Sequence, residues 1–557
     1  MVDSKTTPFS SWKKPQKKDD TFVTGLKVQN SLSPADLVEF VPMSGRRVTW
    51  YMCGPTVYDS SHLGHARTYI SQDLIKRIMR DYFGYDLFVA MNITNIDDKI
   101  INRSNEVGED FAKFATKWEN DFFDDMKKLE VEHPDVITRV SEYVDPVIKF
   151  IEKIIERGYA YESNGSVYFN TVAYKESDHV YGKLAPSKVG DLEKLKEGEG
   201  SRNAKDHDTD KKNPYDFALW KKSKENEPKW DSPWGQGRPG WHIECSAMAD
   251  AVLGNPIDIH SGGVDLQFPH HENEIAQSEA FYDNEQWINY FLHTGHLNID
   301  GLKMAKSLKN FIKIKTMVNK YSARQIRLLF LAHKYDALMD YQPAEDEVDE
   351  AMRNDPKYKG SKGSMGQVGD IDKKYSEFFS SMKARLRINP ITDDQFWTIK
   401  EFELNKLFLQ KKDAIHASFL NNFNTPGVLK ELEELMSATQ TYVKNDKVKF
   451  PLLYAVTTYI FKIFKTMGIN YEDKFNNAGD EVAPFINALS AFRDKIRPAA
   501  REKKYGDIVA QAEEIQNKIV KELQERLANT SNEAEKKQAE PYIETLIGFA
   551  QKIKNAA

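Results

Sequence analysis

Hydrophobic and polar positions divide the chain into an α/β half and a helical half. Arg47-Val48-Thr49-Trp50-Tyr51-Met52-Cys53 is rich in β-branched and aromatic residues and stops at Gly54-Pro55, which predicts a strand and then a turn. From Gly64 to Tyr82 the apolar residues Ile70, Leu74, Ile75 and Ile78 recur at helical spacing. The run from Asp86 to Thr94 predicts a second apolar strand. Strand, turn, helix, strand is a βαβ unit, and βαβ units build parallel sheets. A helix is expected over Val144 to Arg157 and hairpin-like strands around Ser166 to Phe169, followed by a charged stretch from Leu192 to Asn213. The α/β pattern resumes near Gly240. From Ser322, a plausible N-cap before Ala323, the pattern is helical. Ile508, Ala512, Ile515, Ile519 and Leu523 continue it at 3–4 spacing. Glycines 360, 363, 366 and 369 recur without the proline a collagen helix needs, so residues 353–372 are expected to form a flexible loop.

Composition narrows the classes. Two cysteines in 557 residues, Cys53 and Cys245, exclude a disulfide framework and an all-cysteine zinc finger. Apolar residues are 40% and charged residues 29% of the chain, as in soluble globular proteins. The net charge of −6, from 78 basic and 84 acidic side chains, neither requires nor forbids a nucleic-acid partner. The first twenty residues have no apolar core for a signal peptide and no arginine for a transit peptide, and no run is long and apolar enough to span a bilayer. A cytoplasmic enzyme with no membrane partner is expected.

Three clusters carry candidate chemistry. In the first, Cys53-Gly54-Pro55-Thr56-Val57-Tyr58-Asp59 precedes His62-Leu63-Gly64-His65. Cys53 ends a buried strand, at the sheet edge where open α/β folds bind ligands. Two histidines around a glycine at a helix start suit a phosphate, and they equally suit a simple cap. The second runs Gly240-Trp241-His242-Ile243-Glu244-Cys245 and then from Asp258 to Glu274. His270 and Glu274, four apart on a helix, share one face. With Cys53 and Cys245 they form a credible zinc donor set, although each alone also reads as a buried hydrophobe or a surface pair. His271 lacks the acid four residues on and is expected to be a bystander. Gly262-Gly263 before Asp265 suits close approach of a nucleotide, with the carboxylate on ribose. The third, Lys303-Met304-Ala305-Lys306-Ser307, can reach phosphates or can be a solvated loop.

Together, in this order, the blocks strongly resemble the cysteinyl-tRNA synthetases, a class I aminoacyl-tRNA synthetase family. The likeness runs from about Val48 to Asn310 and continues more loosely through Ser322 to Phe330, Asn421 to Pro426 and Phe492 to Arg497. The resemblance implies an α/β class I Rossmann-type catalytic domain with an inserted connective subdomain, followed by an all-α C-terminal tRNA-binding region. Its segments would be a polar, loosely ordered extension over 1–45, Rossmann halves over 46–139 and 234–297, and an insertion over 140–233. A KMSKS loop and stem-contact region would follow over 298–345, and a helical anticodon-binding region over 346–557.

The resemblance further implies zinc on Cys53, Cys245, His270 and Glu274, one ion per chain. It implies catalytic roles for His62, His65 and Lys306. ATP would be held by His62, Gly64, His65, Gly262, Gly263, Asp265, Lys303 and Lys306, with Mg²⁺, and cysteine by Gly54, Thr94, Trp241 and His270. The implied partners are tRNA(Cys), ATP and L-cysteine, as monomer or homodimer. Ala305 departs from the family, which has serine there; the lysine that neutralises the triphosphate is kept. Two rivals share many of these motifs: a cysteine ligase of thiol biosynthesis on the same core, and a non-catalytic tRNA-binding relative.

Overall fold

The computed structural model describes residues 12–197, 210–304, 311–344, 363–388, 396–444, 448–472 and 521. The chain forms two compact units. The first, Met1–Asp372 with Gln410–Glu433 and Thr466–Ile469, contains all the described candidate chemistry. It begins with short strands β1 (Lys27–Val28) and β2 (Val38–Glu39), which pair antiparallel. Next come β3 (Arg47–Met52), α1 (Leu63–Arg77) and β4 (Asp86–Ile93), the predicted βαβ unit. Helices α2 (Asp98–Val107) and α3 (Phe111–Lys128) lead to β5 (Val136–Arg139). After an excursion the chain returns through α7 (Trp241–Leu253), β10 (Ile257–Gly263), α8 (His270–Tyr282) and β11 (Ile288–Thr294). The sheet order is β11-β10-β3-β4-β5, with every neighbouring pair parallel. β4 lies on one side of β3 and β10 on the other, so a crevice opens at the C-terminal ends of these strands.

The excursion contains α4 (Val144–Glu156), β6 (Ala160–Ser163), β7 (Ser166–Phe169), α5 (Thr171–Glu176), α6 (Leu192–Glu197), β8 (Phe217–Lys222) and β9 (Gly237–Pro239). β6 to β9 make a four-stranded antiparallel sheet. Its fourth strand lies beyond residue 233. A shared core of Phe150, Ile154, Phe169, Trp220, Met248 and Ala280 joins this subdomain to α7 and α8. Beyond β11 are β12 (Leu297–Ile299), β13 (Leu302–Lys303), α9 (Ile314–Lys320), α10 (Ala323–Leu331) and β14 (Met339–Tyr341). Ser322 caps α10 through a reciprocal capping box with Gln325. The remaining described helices are Gly363–Ile388, Ile399–Leu420, Thr425–Tyr442 and Phe450–Thr466. The second unit has its own aromatic core, where Tyr375 meets Phe464 and Phe379 meets Tyr471.

Two expectations need correction. Residues 12–45 are not loosely ordered: they cover the open edge of β11. Ser31 N donates to Phe291 O at 3.0 Å, Asn30 Oδ1 accepts from Phe291 N at 3.0 Å, and Trp12 Nε1 donates to Asn289 O at 2.8 Å. An uncovered edge strand exposes unpaired backbone groups, and this segment satisfies them. Residues 363–372 are helix, not loop. Met365 and Val368 are buried there, and packing outweighs the low helix propensity of the glycines. Residues 353–362, Phe492 to Arg497 and the pattern around Ile508 to Ile519 lie outside the described residues.

Candidate active site

The first element of the site is the start of α1. His62 is its N-cap: Nδ1 accepts from Gly64 N at 3.1 Å and His65 N at 3.3 Å, while His65 Nδ1 accepts from His62 N at 3.4 Å. The two rings stack with centroids 3.7 Å apart. Accepting at Nδ1 puts the proton of each neutral ring on Nε2, the tautomer that donates to an anion. Backbone N–H groups and the helix dipole add to that preference. A methyl group on Gly64 would lie 2.9 Å from Met304 Cε and 3.0 Å from the His62 ring, so glycine keeps this approach open. The cap is thus observed, and the same two side chains carry chemistry that suits a phosphate.

The second element is a buried donor group. Ligand atoms of Cys53, Cys245, His270 and Glu274 all lie within 4.8 Å of one another. Cys53 Sγ is 3.9 Å from Cys245 Sγ and 3.8 Å from Glu274 Oε1, and His270 Nε2 is 3.0 Å from Glu274 Oε1. Cys53 follows β3, Cys245 is on α7, and His270 and Glu274 are one turn apart on α8. Three segments distant in sequence therefore converge. Burial pushes the Cys245 thiol up to about 11 and the Cys53 thiol well above its usual value. Anionic sulfur at this place needs a cation beside it. Burial pulls His270 down to about 3, which keeps it the neutral ligand form. The donor set fits a tetrahedral divalent ion.

Around this group lie histidines that sequence reasoning left out. His242 Nδ1 is 3.0 Å from His270 Nδ1, and His260 Nε2 is 2.9 Å from Glu274 Oε2. His271 is no bystander: Nε2 lies 3.3 Å from Cys53 Sγ, and Nδ1 lies 2.8 Å from His293 Nε2. Cys53, His260, His271 and Glu274 form a second, overlapping group of possible metal donors. The signal available in sequence was only that these histidines fall on or beside apolar strands and one helix.

Both elements open into one cavity of about 380 Å³. Of the predicted residues, Cys53, Gly54, His62, His65, Thr94, Trp241, Cys245, Gly263, Asp265 and His270 line it. Gly64, Gly262 and Glu274 sit just behind that lining. Lys303 lies on β13 without a described side chain, Ala305 and Lys306 fall outside the described residues, and Met304 brings the loop's start to the cavity wall. Trp241 stacks on His270 at 4.2 Å, and Thr94 Oγ1 donates to buried Glu244 Oε2 at 3.3 Å. Lys99, Tyr58, Asn92 and Thr68 also line the cavity and were not foreseen.

The family model for the class I (C) tRNA synthetase catalytic domain matches residues 39–353. The chain is 48% identical to a cytoplasmic cysteine–tRNA ligase of Dictyostelium discoideum, over 92% of this chain and 77% of that one. The chain belongs to the cysteinyl-tRNA synthetase family. A cytoplasmic cysteine–tRNA ligase of Xenopus laevis is 38% identical over 90% of this chain and 81% of its own. The fold is that of class I synthetases: a methionyl-tRNA synthetase of Mycobacterium tuberculosis, solved with methionyl-adenylate, superposes with TM-score 0.51 at 12% identity over 80% of this chain and 93% of its own. The likeness to cysteine–tRNA ligases extends well beyond the catalytic domain, so the sugar-ligase reading and the non-catalytic reading are not favoured for this synthetase. No helix among the described residues is long and apolar enough to cross a membrane.

Proposed function

We propose that this chain joins L-cysteine to tRNA(Cys) in two steps, the first consuming ATP, in the cytoplasm. In the first, a carboxylate oxygen of cysteine attacks the α-phosphorus of ATP. The new O–P bond forms as the bond to the β-phosphate oxygen breaks, and pyrophosphate leaves. In the second, a terminal ribose hydroxyl of the tRNA attacks the carbonyl carbon of the adenylate. The C–O bond to phosphate breaks, and the hydroxyl proton leaves with AMP. Neither step requires a protein nucleophile; both require positioning and charge stabilisation.

The observation that carries this reading is one cavity lined both by Cys53, Cys245 and His270 of the buried donor group and by His62 and His65 of the α1 start. Within it, the Nε2–H groups of His62 and His65 face phosphate and Asp265 suits ribose; by the family resemblance, Lys306 with Mg²⁺ would offset the triphosphate charge. Cys53, Cys245, His270 and Glu274 would hold zinc, which when bound would supply a borderline-soft Lewis acid for the substrate sulfur. Serine's hydroxyl is a harder ligand and ionises less readily, so that contact separates two amino acids of nearly equal size. Trp241, stacked on His270, and Thr94, held by Glu244, wall the amino-acid end. Cysteine-dependent exchange of pyrophosphate into ATP, with serine as control, tests the reading. Exchange stimulated by cysteine alone is expected; equal stimulation by serine, or none by cysteine, overturns it.

A further inference from the structure

We infer that Lys99 forms a subsite for the phosphodiester next to the terminal ribose of the tRNA, and so serves transfer more than adenylate formation. The inference rests on the two-step reading above. Among the described residues lining the cavity, Lys99 is the only lysine or arginine. Every substrate of the reaction carries negative charge, and a lysine at a cavity mouth is a mobile point charge for phosphate.

The position of Lys99 decides which phosphate. It lies in the first turn of α2, after β4, and lines the cavity together with Thr94, which walls the amino-acid end. Gly263 ends β10 and Asp265 follows it, on the other side of β3. Asp265, which suits ribose, therefore follows a strand on the far side of β3 from Lys99. The tRNA hydroxyl must reach the carbonyl carbon on the near flank, and its adjoining phosphodiester arrives from outside the cavity. Lys99 is exposed, and its ammonium lies 5.8 Å from the centre of the Tyr58 ring, which also lines the cavity. A cation beside an aromatic face is the pairing that single-stranded nucleic-acid ends use.

The backbone beneath Lys99 is anchored. Asp97 caps α2 by accepting from Lys99 N at 2.7 Å. Asp98, nearly buried, pairs with Lys221 of β8 at 3.2 Å and with Arg238 of β9, and Arg238 also meets Glu227 at 3.6 Å. These two acids and two bases balance one another, so the Lys99 charge is not drawn into the buried group. The insertion sheet thus fixes the first turn of α2 and leaves Lys99 exposed in the cavity lining.

The test separates the two steps. Lys99→Ala and Lys99→Gln would be compared with the parent in cysteine-dependent pyrophosphate exchange and in single-turnover transfer from preformed adenylate to tRNA. Matched melting temperatures would establish that the variants fold. The loss in transfer should exceed the loss in exchange by about tenfold, and the salt slope of tRNA binding should fall by about 0.7. Lys99→Arg should recover most of the transfer rate. Equal losses in both steps would reassign Lys99 to ATP or cysteine, and undiminished transfer would remove it from the reaction; either result overturns the inference. A parent enzyme without cysteine-dependent exchange would overturn the functional reading itself, and this subsite with it.

Discussion

Gly54 offers the sharpest structural test of the cysteine end. It lies two residues past the end of β3, and its N–H donates to Asn92 Oδ1 at 2.8 Å. A Cβ built on it would lie 1.6 Å from the Asn92 carbonyl oxygen and 2.8 Å from its carbonyl carbon. Both are backbone atoms of β4, so no rotamer relieves the overlap. Reaching an ordinary contact of 3.4 Å needs a further 1.8 Å of separation. Movement is opposed on the other side, where Cys53 N donates to Ser261 O of β10 at 2.9 Å. Gly54→Ala must therefore shift Cys53 against Thr94, two residues that line the same end of the cavity. Overpacking of this kind costs about 1–3 kcal/mol of stability. A displacement near 1 Å at a reacting centre costs about a hundredfold in rate. The expected outcome is a lower melting temperature and cysteine-dependent pyrophosphate exchange reduced by about two orders of magnitude. Parental stability with exchange within about threefold of the parent would refute the claim that β3 and β4 are held this closely.

Three further outcomes are expected. Cys245→Ser exchanges a thiolate for a poor zinc ligand, and metal analysis should show zinc falling from about one per chain towards none. His242→Ala removes the ring that sets the orientation of His270 through Nδ1; competition with a chelator should show metal affinity lowered about 10- to 100-fold while the fold persists. Glu132 is pushed up by burial, but Arg80, Arg77 and Lys76 outweigh this and hold its carboxyl at about 2, below its ordinary 4.5. Its charge therefore stabilises the fold above pH 4.5, and that contribution is lost as pH falls through about 2. Glu132→Gln should cost about 1–2 kcal/mol at pH 7 after allowing for solvent screening, and thermal melts should show the gap closing between pH 4.5 and 2.

The sheet was legible in sequence wherever one strand could be recognised by itself. β3 and β4 are apolar runs closed by Gly54-Pro55 and by the turn after Thr94, and α1 between them keeps helical spacing. The i, i+4 relation of His270 and Glu274 needed only the helix period. The bringing together of Cys53 with Cys245 needed the strand order β10-β3-β4, which no local pattern encodes. The edge cover at residues 12–45 was illegible for another reason. Its contacts to β11 are a backbone bond from Ser31 N to Phe291 O and single side chains such as Trp12 and Asn30 set among lysines. No periodicity results from such contacts.

The buried histidines show how this cover reaches the chemistry. Ser31 Oγ is 2.6 Å from His293 Nδ1, His293 Nε2 is 2.8 Å from His271 Nδ1, and His271 Nε2 is 3.3 Å from Cys53 Sγ. Burial holds His293 at about 3 and His271 well below its usual value, so both rings are neutral. A neutral imidazole donates at one nitrogen and accepts at the other. With Cys53 as thiolate, an acceptor only, His271 must carry its proton on Nε2 and accept at Nδ1. His293 then donates from Nε2 and accepts at Nδ1 from the Ser31 hydroxyl. Every hydrogen bond in the row points towards the sulfur and favours its anionic form. A neutral row does this without adding a charge that would repel a divalent ion. The segment that covers the sheet edge thereby also fixes the tautomers behind the Cys53 ligand, and its order and the order of the metal site are one requirement.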